Sequence, residues 1–291
     1  MQRYHVQQLL PNLHVIEERI LGASFPIRLF LVTGDRRAAL IDTGLGTGDL
    51  RAVVETVTRL PVIVLHTHGH GDHIGADALF SEHFLHPQEK KGAGGGYAFG
   101  RTAASRLAFL SDLLPDEPDT LADLAGSMVE GRAIRYGRLR DGDRVDLGGC
   151  VLEVVHIPGH TPGSVAFVDR GNGQAFTGDG IADIHWFDGA SETTVSAFRR
   201  TLGHFLARAE GVETCHAAHM GAPFDLGLVG RLHRAATEIL EGADDPLEQA
   251  DYGFLRHGIL YAHRTGDATL YYDREHVHDR ACRGRPFCTK A

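Results

Sequence analysis

The sequence predicts an α/β protein made of two α/β halves packed sheet on sheet. Short β-rich apolar runs alternate with longer amphipathic stretches, and that alternation of strand groups with helices occurs twice along the chain. The 291 residues, 43% hydrophobic and 23% charged, lie in the ordinary globular range and can bury a sizeable core without disulfide staples. No low-complexity segment, short repeat or linker divides them, so a single domain over 1–291 is expected.

The strand runs begin with His14–Glu18, Ile27–Thr33 and Ala38–Asp42, with Gly and Asp at the breaks. Thr47–Leu60 then spaces its apolar residues as a helix, with Thr47 as N-cap and Pro61 as the stop. Pro61–Leu65 (PVIVL) reads as a buried strand. A helical insertion is expected over about 88–133, opened by the glycine-rich KKGAGGGY and carrying ASRLAFLSDLL and TLADLAGSMV. Strand runs return at Arg144–Leu147, Val151–Ile157, Ser164–Asp169 and Gln174–Asp179. Ser191–Ala209 reads as an amphipathic helix capped by Ser191, followed by the short strand ETCHAAH and the helix Leu228–Gly242. The extension at about 242–291 carries no assigned element.

Composition narrows the function classes. The formal net charge is -9 and no run of Lys or Arg stands out, so neither a nucleic-acid footprint nor binding to an anionic membrane is expected. The four cysteines are irregularly spaced, unlike a disulfide framework, and Cys282 and Cys288 are expected to stay reduced. The N-terminus lacks a basic segment followed by an apolar run, and no window approaches the roughly 18 apolar residues of a membrane span. A cytoplasmic location is the expectation.

The chemistry is concentrated in LHTHGHGDHIG, Leu65–Gly75, which holds four histidines and one aspartate directly after the strand PVIVL. Imidazole and carboxylate are natural ligands for borderline divalent metals. In an extended segment residues i and i+2 point the same way, so His68 and His70 can grasp one ion. Gly69 and Gly71 permit a tight turn that can aim Asp72 and His73 at a neighbouring position. A histidine-rich surface loop would explain neither this spacing nor the strand leading in. One loop cannot complete two coordination spheres. Further candidates close other apolar runs: His160 in IPGHTPGS, Asp179 in FTGDG and His219 in CHAAHMGAP.

Five ordered motifs now stand together: IDTG at Ile41–Gly44, HTHGHGDH, PGHTPGS, TGD and a late strand-end His. Over roughly residues 10–240 the chain resembles the metallo-β-lactamase-fold hydrolase superfamily. The resemblance implies a four-layer αβ/βα sandwich with a dimetal centre at one edge. It implies His68, His70 and His160 at the first metal, Asp72, His73 and His219 at the second, and Asp179 bridging both. Two zinc ions are expected, with iron or manganese as alternatives. Asp42 looks like the family's residue that orients a ligand. His216 competes with His219 for the last position, but lies within the strand, and the Met-Gly-Ala-Pro after His219 favours the latter. Many relatives carry Gly-Gly after the Asp-His pair where Ile74-Gly75-Ala76 stands here, a change that should not affect ligation.

The same resemblance implies hydrolysis by metal-bound hydroxide, with Asp72 accepting or relaying the proton and no covalent intermediate. Asp179, where several true β-lactamases carry Cys or Ser, resembles glyoxalase II, lactonases and related thioesterases instead. His70 stands where the diiron oxygen-reducing branch usually has Glu, and the basic exosite of nucleic-acid-cleaving branches is missing. The expected substrate is therefore a small thioester, ester or lactone. The alternative is a non-catalytic or redox metal-binding module on the same scaffold. Trp186, Tyr97, Phe99 and Arg101 are candidate pocket residues, and a homodimer is compatible with such folds. His66 and His156 read as structural, and His83, His86, His204 and His233 as ordinary surface or packing residues. His276, Cys282 and Cys288 lack the spacing of a further metal site.

Overall fold

The computed structural model describes residues 3–20, 26–91, 102–114, 116–186, 193–244, 248–250 and 260–279. A seven-stranded sheet runs in chain order through β1 (Tyr4–Leu10), β2 (Leu13–Arg19), β3 (Pro26–Thr33), β4 (Ala38–Ile41), β5 (Val62–Leu65), β6 (His83–Leu85) and β7 (Tyr136–Arg138). Pairing is antiparallel from β1 to β4 and parallel from β4 to β7. The second sheet contains β8 (Arg144–Asp146), β9 (Val151–His156), β10 (Val165–Asp169), β11 (Gln174–Gly178) and β13 (Thr214–Ala217), with β13 parallel to β11 at one edge. β12 (Ile184–Trp186) leaves this sheet and joins β14 (Glu248–Ala250), β15 (Leu260–Thr265) and β16 (Ala268–Tyr272) in a third.

Successive side chains of a strand point to opposite faces, and here both faces are apolar. In β3, Phe30 and Val32 enter the core between the two large sheets, where Val165 and Phe167 of β10 meet them. The alternate residues Ile27, Leu29 and Leu31 face the outer core with α1 (Leu50–Val57), α2 (Ala103–Leu113) and α3 (Pro118–Ser127). Ala166 and Val168 of β10 face α4 (Val195–Arg208) and α5 (Leu226–Glu241). The result is helix, sheet, sheet, helix, with the third sheet against α5.

Several elements differ from expectation. α1 is capped by Asp49, whose carboxylate accepts from Ala52 N, and not by Thr47. The buried Glu18 carboxylate accepts from both the backbone N–H (2.6 Å) and the hydroxyl of Thr47, which ties that residue to β2, two positions before the cap. α4 starts at Thr194, whose hydroxyl accepts from Ala197 N; Ser191 lies outside the described residues. β1 was not expected, and the C-terminal extension contributes β14–β16. Tyr97, Phe99, Arg101, Cys282 and Cys288 lie outside the described residues. Trp186 ends β12.

Candidate metal centre

Every candidate ligand sits just beyond the C-terminal end of a strand, at one edge of the two-sheet sandwich. His68–His73 follow β5, His160 sits in the turn from β9 to β10, Asp179 follows β11 and His219 follows β13. One backbone bond, Val165 N–H to Thr67 O at 2.8 Å, joins the first loop to the second sheet. Gly178, at φ +54°, lets β11 approach that loop: a Cβ there would stand 2.4 Å from Thr67 Oγ1.

The seven predicted ligands converge in two groups, His68–His70–His160 and Asp72–His73–Asp179–His219, with ligand atoms within 4.8 Å of one another in each. His160 Nε2 lies 3.0 Å from His70 Nδ1. In the second group His219 Nε2 lies 3.2 Å from Asp72 Oδ2, and His73 Nε2 3.9 Å from it. Asp179 Oδ2 faces both groups, at 3.4 Å from His73 and His219, 3.7 Å from His160 and 4.0 Å from His68. The Nε2 atoms of His68 and His73 are buried and make no aligned hydrogen bond. Five imidazoles and two carboxylates converging at one point, with the Nε2 atoms of His68 and His73 orphaned there, are a donor set that fits a pair of divalent cations. His216 is not among them. It packs on Phe176 in the core and its Nε2 meets Gln174 Oε1 at 2.8 Å, as its place within the strand predicted.

A family model described as the metallo-beta-lactamase superfamily matches residues 25–241. The chain belongs to this superfamily. A hydroxyacylglutathione hydrolase of Haemophilus influenzae is 29% identical over 178 residues, 58% of this chain and 74% of that protein. An acyl-coenzyme A thioesterase of Homo sapiens is 27% identical over 210 residues, 64% of this chain and 70% of that protein. Among solved structures, a metallo-beta-lactamase family protein from Thermus thermophilus superposes with a TM-score of 0.55 at 26% identity, covering 81% of this chain and 82% of that one. The architecture described above is the metallo-beta-lactamase fold.

Within this metallo-beta-lactamase fold, both His68 and His73 are aimed by an outer partner. The Asp42 carboxylate accepts from Thr67 N–H (2.8 Å) and Thr67 Oγ1–H (2.7 Å) and lies 2.8 Å from His73 Nδ1. With the His73 proton donated there, Nε2 is turned to the centre. His68 Nδ1 meets Thr67 Oγ1 at 3.1 Å, which likewise turns its Nε2 inward.

Glu89 escaped the sequence reading. It sits in HPQEK at the mouth of the expected helical insertion and looks like one more exposed charge. In the fold its side chain is buried. Oε2 accepts from Gly69 N–H (2.9 Å), and Oε1 accepts from Thr161 Oγ1–H (2.5 Å) and Gly163 N–H (2.7 Å). One carboxylate thus ties the loop bearing His68 and His70 to the turn bearing His160. Of the surface and packing readings open for His83, the fold takes the second: it is buried beside Asp77 and His66. His86 stacks on His156, centroids 4.3 Å apart.

The two groups differ electrostatically. Burial, with the neighbouring imidazoles of His73, His70 and His160, pushes His68 well below its ordinary value. Burial also lowers His73 and His219, but the carboxylates outweigh it. Asp179, Asp72 and Asp42 hold His73 well above the ordinary range, and Asp179 and Asp72 hold His219 at about 10. The carboxyls of Asp72 and Asp179 are raised by burial yet held low by these imidazoliums. The second group is thus a cluster of imidazole–carboxylate pairs.

A cation entering the second group displaces protons held below about pH 10, so its affinity there rises with pH, by up to about tenfold per unit per proton. Chelator competition between about pH 6 and 8 measures this, and a flat profile would contradict it. In Glu89→Gln an amide would face Gly69 N–H, so affinity of the first group should fall about 10–100-fold with the second group preserved. Stepwise zinc titration separates the two, and equal loss at both would show general damage instead.

Proposed function

We propose that this chain is a dinuclear-zinc hydrolase of small acyl substrates, with thioesters first and carboxylic esters or lactones next. The observation that carries the reading is Asp179 Oδ2, placed within 4.0 Å of imidazole nitrogens from both ligand groups, so that this one carboxylate would serve both. Zinc bound there would supply Lewis acidity, lowering the pKa of a water and polarising an acyl carbonyl. The relatives named for glutathione and coenzyme A thioesters support the substrate class.

The chain's own residues supply orientation and proton transfer. His68, His70 and His160 hold the first position, and Asp72, His73 and His219 the second. Asp72 is half-buried and, ionised near neutral pH, accepts the proton released as water adds to the acyl carbon. It then passes that proton to the departing thiolate or alkoxide. Among the described residues a thiol nucleophile is disfavoured: burial pushes Cys150 and Cys215 up to about 12, and neither belongs to a ligand group. Water attacks directly in this reading, without an acyl-enzyme.

A panel of acyl-coenzyme A and acyl-glutathione thioesters, aryl esters and homoserine lactones, given to the zinc-loaded chain, tests the proposal. Turnover is expected with the thioesters. No turnover on any member, with zinc bound, would defeat the hydrolase reading, and two irons per chain would shift it to redox chemistry. Asp72→Ala should reduce kcat by about 10²–10⁴-fold while circular dichroism stays unchanged. Wild-type turnover in that variant would remove Asp72 from the proton-transfer role.

A further inference from the structure

A second group of potential ligands lies outside the seven-residue centre. His66, Asp77 and His83 are all buried, and their ligand atoms lie within 4.8 Å of one another. His66 Nε2 is 3.3 Å and His83 Nδ1 3.8 Å from the same oxygen, Asp77 Oδ1. Ligands at about 2.0–2.1 Å from a tetrahedral ion stand roughly 3.3 Å apart, so the two separations from Asp77 Oδ1 are close to edges of such a shell. Neither nitrogen of His66 makes an aligned hydrogen bond, nor does His83 Nδ1. We propose that His66, Asp77 and His83 form a third cation site, selective for a zinc-like divalent ion.

The outer contacts fit that assignment. His83 Nε2 lies 3.1 Å from the Phe80 carbonyl, which fixes the proton on Nε2 and leaves the Nδ1 lone pair facing Asp77. His66 Nδ1 faces Asp42 Oδ1 at 3.7 Å, a longer form of the carboxylate–imidazole pattern that aims His73. Asp77 is itself fixed, accepting from Thr43 Oγ1–H at 2.8 Å on Oδ1 and from Tyr136 O–H at 2.7 Å on Oδ2. A cavity of about 20 Å³, lined by Asp77, Arg132 and Tyr136 among others, borders the cluster at Asp77 and has room for a water. Asp42 touches both centres, so an ion here would sit behind the carboxylate that aims His73. The competing occupant is a proton on His66, shared between Asp42 and Asp77.

Crystals of the full chain grown with excess zinc and measured at the zinc edge decide between them. The expected result is an anomalous peak within bonding distance of His66 Nε2 and His83 Nδ1, apart from those of the seven-residue centre. Zinc at that centre with none at the cluster overturns this inference alone; no zinc at either overturns the proposed function as well. In solution, His83→Phe keeps a flat ring beside Tyr136 and removes the ligand. It should bind one zinc equivalent fewer than the native chain. Equal stoichiometry in a folded His83→Phe variant would overturn the site, and should that variant not fold, the diffraction result stands on the native chain.

Discussion

The geometry at the sandwich edge depends on one buried carboxylate. Asp42 closes β4 at a φ of 62°, a left-handed conformation that Asp tolerates better than most side chains. A buried carboxylate costs several kcal/mol unless donors surround it. Burial raises the Asp42 carboxyl, but His73 and His66 together hold it below its ordinary value. Its partners are Thr67, just before the first ligand, and His73, the last ligand of the loop. The loop is therefore fastened at both ends to the same side chain. Because Thr67 O also accepts from Val165 N–H, the same fastening registers the loop against the second sheet.

That fastening helps bring together candidate ligands that are distant along the chain. The core between the sheets, with Phe30, Leu65, Phe167 and Phe176 buried in it, fixes the separation of the strands. The strand ends then deliver two carboxylates and five imidazoles to one edge. Packing holds these groups together against their own desolvation, with the His–Asp ion pairs compensating only in part. A cation bound there would add direct bonds to that partial compensation.

The sequence disclosed the parts governed by short-range rules. Apolar alternation located most strands of both large sheets, and the ligand spacing in HTHGHGDH identified the loop. The errors arise where a long-range partner overrides a local preference. Thr47 is a good cap by type, but Glu18, far away in β2, claims it. Glu18 and Glu89 look like ordinary solvent-facing acids, and only the folded chain shows the backbone N–H groups each satisfies. His83 stands in a strand of three residues, too short for periodicity to choose between surface and packing. The C-terminal strands are legible only through pairing: β16 lies between β15 and the short, parallel β12.

That last pairing ties the tail to the metal centre. The family match ends at residue 241, yet β15 and β16 lie beyond it and hold β12, the segment five residues after Asp179. β12 in turn carries His185, whose ring stacks on Phe198 of α4 with centroids 3.8 Å apart. Phe198 packs so closely on Gly159 that a Cβ there would come within 2.7 Å of the ring. Gly159 is the residue before His160. A continuous set of contacts thus runs from β16 through β12 and α4 to the turn that aims the third ligand of the first group. Glu89 braces that turn from the opposite side, through Thr161 and Gly163. His160 lies in a turn and not in a strand, so its position is the joint product of a buried carboxylate on one flank and an aromatic stack on the other. The C-terminal strands therefore belong to the support of the centre, although no ligand comes from them.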